Sequence, residues 1–323
     1  MTFYHKHPFP HGDWRYVPLG WMLRGVARLP FGVLYLISDV LFVLIYHIVR
    51  YRRRVVSDNI RASFPDYSGR QLRHTVRRFY RNFVDYFVET VKLGHISDEE
   101  MRRRMVFENM SVVDSLLAEG RSVVVYFSHS FNWEWATSFP LWSTDVHNPK
   151  VSFSQVYRPL VNDWFDNYFL HLRSRFHTLS YPKRSVLRDL IREQRDGLQS
   201  VCGFMSDQKP SHGDPTHVMR FLHHPTAMIT GTETLARRLD MAVVYMDMEK
   251  HSRGHYKVTI RLITKTPEAL PHMAITERYA RLLEQTIRRD PSIWLWSHKR
   301  WKIPVKLPQD DTDRNAAGSG DNS

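Results

Sequence analysis

The sequence predicts an α/β fold, with a mostly parallel sheet flanked by helices and an apolar anchor helix at the N-terminus. Two observations carry this prediction. Short runs of β-branched and aromatic residues alternate with longer segments of helical periodicity, which is typical of strands joined by crossover helices. A long and mostly apolar stretch, residues 29–49, comes before all of them. The 323 residues, 42% of them hydrophobic, are enough to bury a substantial core.

The apolar stretch at residues 29–49 is long enough to cross about 30 Å of hydrocarbon. Pro30, Gly32 and Asp39 weaken that interpretation, so a helix lying in the membrane interface and a buried helix of a soluble protein are the alternatives. The arginines at 50–54 follow the positive-inside tendency and favour a cytoplasmic position for the rest of the chain. The predicted organisation is a membrane-anchor segment at 1–54, an α/β domain at 55–307 and a disordered tail at 308–323.

The elements of the α/β domain follow in order along the chain. Capping boxes that start at Ser68 and Ser97 predict the first turns of two helices. A third box, from Thr230 to Glu233, opens a later helix and gives Glu233 a mainly structural role. Predicted strands cover residues 122–127, 150–156, 200–205, 242–248 and 256–263, and predicted helices cover 161–175, 185–196, 230–239 and 276–289. Because ligands bind at the carboxyl ends of parallel strands, the residues just after each strand are the site candidates.

The most informative candidates are His129 and Glu134, which follow the first of these strands. On one straight helix, two residues five positions apart would point roughly 140° away from each other. We therefore expect His129 in the turn and Glu134 in the first helical turn after it. In that geometry the Glu134 carboxylate accepts the Nδ1–H of His129 and leaves Nε2 free to take a proton.

A histidine and carboxylate without their own nucleophile can deprotonate a hydroxyl group of the substrate. This chemistry is direct acyl transfer to an alcohol. Ser128 and Ser130 flank the histidine, so a serine nucleophile is one alternative. The other is a structural histidine, with Glu134 as an ordinary charge near a helix start.

Two more strands end in polar residues on the same predicted edge of the sheet. Tyr157 and Arg158 follow the second strand, and Asp207 and Gln208 follow the third. Arg158 has a guanidinium fork that suits a phosphate or carboxylate, unless it forms a structural ion pair. Asp207 either positions His129, Arg158 or a substrate group, or forms an ordinary turn.

Charge, cysteine count and missing motifs limit the function classes. A net charge of +13 and a pI near 9.9 favour an anionic partner, either nucleic acid or a membrane surface. A non-catalytic basic protein that binds membrane or nucleic acid is the alternative of another class, but the sequence contains no nucleic-acid motif in its favour. Cys202 is the single cysteine and fits a reducing cytoplasm. Metal-ligand spacings, a Walker loop and a Gly-x-Gly-x-x-Gly motif are also missing, so we predict no cofactor.

Several blocks occur in a characteristic order between Val17 and Lys302. They are the apolar N-terminal segment, Tyr51 to Pro65, His129 to Glu134, Tyr157-Arg158-Pro-Leu, Ser206-Asp207-Gln208-Lys-Pro210 and Trp294 to Lys302. Together they resemble the bacterial lipid A biosynthesis late acyltransferases, of the lauroyl/myristoyl transferase type, within the lysophospholipid acyltransferase superfamily.

This resemblance implies an acyltransferase-like fold, a His129–Glu134 catalytic dyad, and Arg158, Asp207 and Gln208 as substrate-binding residues. It also implies acyl transfer from an acyl carrier protein or acyl-CoA donor to a hydroxyl of a lipid A precursor, at the cytoplasmic side of the bacterial inner membrane. A lysophospholipid, glycolipid or aminolipid acceptor is the alternative. Ser130 stands where some members have phenylalanine, which bears on the preferred acyl chain.

Overall fold

The computed structural model describes residues 6–10 and 14–307, so the tail predicted at 308–323 lies outside the described residues. The predicted α/β fold is confirmed. The strands are β1 (Met105–Glu108), β2 (Val123–Phe127), β3 (Val151–Tyr157), β4 (Leu179–Pro182), β5 (Gln199–Met205), β6 (Thr216–Phe221), β7 (His224–Ile229), β8 (Ala242–Ser252) and β9 (His255–Thr264). Seven of them form one sheet in the order β1-β9-β8-β2-β5-β3-β4, and β6 and β7 form a separate antiparallel hairpin.

Helices flank the sheet and precede it. They are α1 (Val17–Arg28), α2 (Phe31–Phe42), α3 (Arg53–Ser63), α4 (Gly69–Lys92), α5 (Asp98–Arg104), α6 (Ser111–Ala118), α7 (Asp163–Arg173), α8 (Val186–Arg195), α9 (Gly231–Arg238) and α10 (Ala274–Arg289). A π-helical segment, Val43–Val49, continues α2, and a 3-10 helix, Trp135–Trp142, follows β2. The helix Phe31–Val49 is long and apolar enough to cross a membrane.

Strand β2 lies in the middle of the sheet and organises the site. All five of its residues are buried, and it pairs in parallel with β8 on one side and with β5 on the other. Burial on both faces explains why its sequence is a continuous apolar run without polar alternation. Every neighbouring pair in this sheet is parallel except β8 and β9, so β2, β5 and β3 end at the same edge.

The five predicted strands appear as β2, β3, β5, β8 and β9, and the four predicted helices as α7 to α10. The capping box at Ser68 forms with Gln71, and the Ser97 side chain accepts a hydrogen bond from Glu100 N. The sequence patterns missed β1 and β4, which have only four residues each, and also α6, β6 and β7.

The predicted capping box at Thr230 is wrong, because the Thr230 side chain forms no cap hydrogen bond. Glu233 is buried and binds elsewhere: it accepts from Arg237 at 2.9 Å, and from the N–H and hydroxyl of Thr276 at 2.8 and 2.6 Å. The Arg237 cation and the two Thr276 donors stabilise the buried Glu233 carboxylate more than the single backbone N–H of Thr230 in a capping box would. Its role is structural, as predicted, but it joins α9 to α10.

Candidate active site

His129 and Asp207 meet at the carboxyl edge of the sheet, because each directly follows one of the paired strands β2 and β5. His129 Nδ1 lies 2.7 Å from Asp207 Oδ1, and the His129 backbone N–H donates to Asp207 Oδ2 at 2.9 Å. The indole N–H of Trp294 donates to the same Oδ2 at 2.8 Å. Since an ionised carboxylate only accepts, the ring proton is on Nδ1, which leaves Nε2 as the basic nitrogen.

The electrostatics of Asp207 suit this arrangement. Burial of the carboxylate favours its neutral form, but His129, its two N–H groups and the Trp294 indole outweigh that effect and lower the pKa of Asp207. The carboxylate is therefore charged at neutral pH. Only 1% of the Asp207 side chain is exposed, whereas 15% of the His129 side chain is, so the imidazole is the member of the pair that a substrate can reach.

Glu134 does not accept the hydrogen bond predicted from His129. Its carboxylate is buried and binds the guanidinium of Arg173 through two parallel bonds, Nε to Oε2 at 2.8 Å and Nη2 to Oε1 at 2.6 Å. Glu134 precedes the 3-10 helix, and Arg173 ends α7, so the pair ties the turn after β2 to that helix. The planar fork of an arginine matches both carboxylate oxygens, which explains why Glu134 faces it. A catalytic role for Glu134 stays a prediction.

The turn that carries His129 is held on both sides. The hydroxyls of Ser128 and Ser130 are buried and lie 2.7 Å from each other. Phe131 has a left-handed backbone, with φ at +46°, and its N–H donates to Ile293 O at 3.0 Å. A non-glycine residue in that region costs about 1–3 kcal/mol, and such strain clusters at functional sites. Neither serine hydroxyl bonds to His129 among the described residues, which disfavours the serine nucleophile.

Aromatic rings form one wall beside the imidazole. The Trp133 ring packs edge-on against His129, with centroids 5.2 Å apart, and stacks on Tyr86 of α4 at 4.0 Å. These contacts restrict the rotation of the Trp133 ring and place apolar ring surface beside the imidazole.

Arg158 and Gln208 lie on the predicted edge but do not contact His129 in the described part of the chain. Arg158 is exposed in the loop after β3, and Gln208 is half-buried next to Asp207. Asp214 is partly buried, which favours its neutral form, but two bonds from Lys183 at 2.7 Å and the charge of Arg158 lower its pKa. Arg158 and Lys183, with Asp214 between their charges, form a cluster of positive net charge at this edge of the sheet, which we call the basic lip.

Sequence reasoning attached no individual roles to the residues of the C-terminal block, although the block itself carried the resemblance. Trp294 binds Asp207, and Lys209 N donates to His298 Nε2 at 3.1 Å. Burial and the nearby Arg300 lower the pKa of His298, which keeps it neutral and able to accept. Asn59, from the block before α4, donates to Trp296 O and His298 O at 2.9 and 3.0 Å. Two blocks far apart in sequence thus support the same edge of the sheet.

An apolar cavity of about 310 Å³ lies beside Ser206, one residue before Asp207. Its apolar walls come from Val156, Val186, Leu187, Phe204, Met205, Ile229 and Leu235. Lys183 and Arg238 contribute the cationic part of its lining. Such a mostly apolar cavity with a few charged groups suits a hydrocarbon chain attached to an anionic group.

A family model described as "Bacterial lipid A biosynthesis acyltransferase" matches residues 5–303 of the chain. A comparison with curated proteins gives no match.

Proposed function

Because the chain belongs to the bacterial lipid A biosynthesis acyltransferase family, we propose that it moves a fatty acyl chain from an acyl carrier protein or acyl-CoA thioester to a hydroxyl of a lipid A precursor. The observation that carries this proposal is the His129–Asp207 pair, with Nδ1 and Oδ1 2.7 Å apart, at the carboxyl edge of the sheet. The pair has a base and an orienting carboxylate but no enzyme nucleophile, so the attacking oxygen belongs to the substrate.

In the proposed reaction, His129 Nε2 takes the proton from the acceptor hydroxyl as its oxygen attacks the thioester carbonyl. The tetrahedral intermediate then collapses, the carbon–sulfur bond breaks, and the imidazolium returns the proton to the leaving thiolate. Asp207 stabilises the imidazolium while it exists, since its buried carboxylate lies 2.7 Å from Nδ1. General-base assistance of this kind contributes about 10²- to 10⁴-fold to the rate.

In our proposal, Glu134 takes no proton and instead holds the segment that carries His129 in place. Its bidentate pair with Arg173 holds the segment between His129 and the 3-10 helix against α7. The Tyr86 hydroxyl lies near this pair, and burial together with the Glu134 charge raises its pKa well above the usual value. Trp133 stacks on the same Tyr86 ring, so the pair and the wall beside His129 share one support.

The substrates are assigned to surfaces by charge and polarity. We propose that the donor's acyl chain enters the apolar cavity beside Ser206. The basic lip of Arg158 and Lys183 then faces the phosphates of the donor or acceptor, and the net charge of +13 favours an acidic carrier protein. Membership of a family that is normally membrane-associated, together with the apolar helix Phe31–Val49, supports action at the cytoplasmic side of the inner membrane.

Lipid mass spectrometry of a deletion strain tests the proposed function. We expect a lipid A precursor that lacks one acyl chain, and we expect the purified protein with an acyl thioester to restore that mass. A missing chain on a lysophospholipid, glycolipid or aminolipid would instead identify that acceptor. Unchanged lipids, together with an inactive purified protein, would contradict enzyme function and favour a non-catalytic membrane protein.

Arg158 is expected to bind an anionic group of a substrate. Charge-assisted bonds contribute roughly 1.5–3 kcal/mol, so Arg158→Ala should raise KM about ten- to a hundredfold. Arg158→Lys keeps the charge but loses the planar fork, so its KM should rise less. Because Arg158 is exposed, the melting temperature should stay nearly constant.

The matched control for Arg158 is Arg195→Lys, on the exposed surface of α8, which should change neither KM nor melting temperature. A lower melting temperature with unaltered KM in the Arg158 variants would show a structural ion pair and remove Arg158 from the site.

A further inference from the structure

The exposed apolar side chains are concentrated on the N-terminal helices. Of the eighteen large apolar side chains exposed in the described part of the chain, twelve lie between Trp14 and Tyr51. The most exposed of them are Trp14, Trp21, Leu36, Val40, Ile48 and Val49, each at least 60% exposed, and we call these six the apolar face. Such a concentration of exposed apolar side chains on a folded protein marks a surface that is covered by a partner or a membrane.

The other side of α2 is attached to the α/β domain by polar contacts. The Ser38 hydroxyl donates to Asp85 Oδ1 on α4 at 2.7 Å. Arg253, at the turn between β8 and β9, donates to both Asp85 and Asp39, at 2.7 and 2.9 Å. Tyr35 also donates to the fully buried Glu89 at 3.1 Å. Asp39, which weakened the spanning interpretation of the sequence, is thus one partner in an ion-paired contact.

The junction between α1 and α2 is attached to the same helix of the domain. Lys92, at the end of α4, is buried and donates to the backbone carbonyls of Ala27 and Leu29 at 3.0 and 2.9 Å. If α2 left the domain to cross a bilayer, Ser38 would lose Asp85, Asp39 would lose Arg253, and both would enter hydrocarbon. Both changes leave a charged or polar group unpaired in an apolar environment, which is costly.

Cationic residues stand at both ends of α2 and its π-helical continuation. Arg28 precedes α2, and Arg50 and Arg54 follow Val49, all with exposed side chains. A spanning helix would place Arg28 and Arg50 on opposite sides of the membrane. A helix lying flat places all three arginines at one surface, where anionic headgroups attract them.

An unbroken series of ring contacts leads from this surface to the site. Tyr51, at the end of the π-helical segment, stacks on Phe83, and Phe83 packs against Phe87 with centroids 5.0 Å apart. Phe87 contacts Tyr86 at 5.3 Å, and Tyr86 stacks on Trp133, which packs against His129. We call Tyr51, Phe83, Phe87, Tyr86 and Trp133 the aromatic path. Tyr51 and Phe87 are 41% and 45% exposed, so the path starts at the surface.

We infer that the apolar face inserts into one leaflet of an anionic bilayer, with α1 and α2 parallel to the membrane plane, and that no segment between Trp14 and Arg54 crosses it. The aromatic path is then a packed apolar surface between that leaflet and His129, along which an acyl-bearing lipid approaches the site. The identity of that lipid rests on the proposed function, but the binding geometry depends only on the apolar face and its attachments.

Labelling of single cysteines in the full chain tests the geometry. Arg28→Cys and Arg50→Cys are each exposed to a membrane-impermeant maleimide, in inverted inner-membrane vesicles and in spheroplasts. Cys202 is buried and provides the unlabelled background. We expect both introduced thiols to react in inverted vesicles and neither in spheroplasts. Labelling of the two positions from opposite sides would overturn the inference.

A second measurement tests the apolar face itself. The double variant Leu36→Glu/Val40→Glu should lose at least tenfold in binding to vesicles of phosphatidylglycerol and phosphatidylethanolamine, at an unchanged melting temperature. The matched control Ile191→Glu/Leu262→Glu changes two exposed apolar residues elsewhere and should bind like the parent. Equal binding by both variants would overturn the inference. If the labelling pattern is the expected one but acyl transfer is never detected, the proposed function is wrong and the inferred membrane geometry is still supported.

Discussion

Replacing His129 with alanine is expected to lower the rate of acyl transfer by about 10²- to 10⁴-fold or more, while the protein stays folded. The reason is that His129 is the base that Asp207 orients, through a side-chain contact of 2.7 Å, and no other base among the described residues has this contact. The domain should stay folded because the buried Asp207 carboxylate keeps its bonds from the residue-129 backbone N–H and from the Trp294 indole. The measurement is kcat/KM of the purified protein with an acyl thioester and a lipid acceptor, alongside the melting temperature.

The control for His129→Ala is His95→Ala, which removes an exposed imidazole at the far end of α4 and should leave the rate unchanged. A His129→Ala protein with near wild-type kcat/KM would remove the histidine from the mechanism, whatever its stability.

Replacing Glu134 with alanine is expected to destabilise the fold by about 3–5 kcal/mol, because it leaves the Arg173 guanidinium buried without its carboxylate. The Glu134 and Arg173 side chains are 3% and 17% exposed, so water cannot replace the lost partner fully. Glu134→Gln keeps one acceptor oxygen and should lose less stability and retain some activity. Unfolding free energy from denaturant titration measures the effect, and activity is compared in the folded fraction.

The matched comparison for Glu134 is Asp207→Asn, which should act on the rate instead. An asparagine amide would donate to His129 Nδ1 and move the ring proton to Nε2, where the imidazole could no longer accept a proton. Its remaining oxygen can still accept from Trp294 and the His129 backbone, so stability should change less than for Glu134→Ala. If Glu134→Gln removed activity at full stability and Asp207→Asn had no effect, Glu134 would be the orienting carboxylate, as the resemblance implied.

Local sequence was sufficient for the elements that local interactions decide. The capping box at Ser68 forms between residues three positions apart, and the apolar run of β2 reflects burial that every strand in the middle of a sheet experiences. The position of His129 at a strand end follows from the same run. The sequence patterns did not predict the edge strands β1 and β4, because four residues carry too little periodic signal. Pairing with β9 and β3 stabilises these two strands.

The tertiary structure determines which side chains form hydrogen bonds with each other at the site. Glu134 is five positions from His129, yet Asp207, which is 78 positions away, takes the hydrogen bond because β2 and β5 are neighbours in the sheet. Proximity along the chain predicted Glu134 as the hydrogen-bond partner of His129, whereas Glu134 binds Arg173 of α7.

The apolar stretch before the domain shows the same division. Its composition alone predicts contact with hydrocarbon, and it is equally compatible with a spanning helix, an interfacial helix and a core helix. The contact of Asp39 with Arg253, 214 positions later, supports the interfacial helix that we infer, because it attaches one side of α2 to the domain while the other side stays exposed. Sequence determines which residues are apolar, whereas only the packed fold determines which of them stay exposed, because burial depends on contacts with residues far away in the chain.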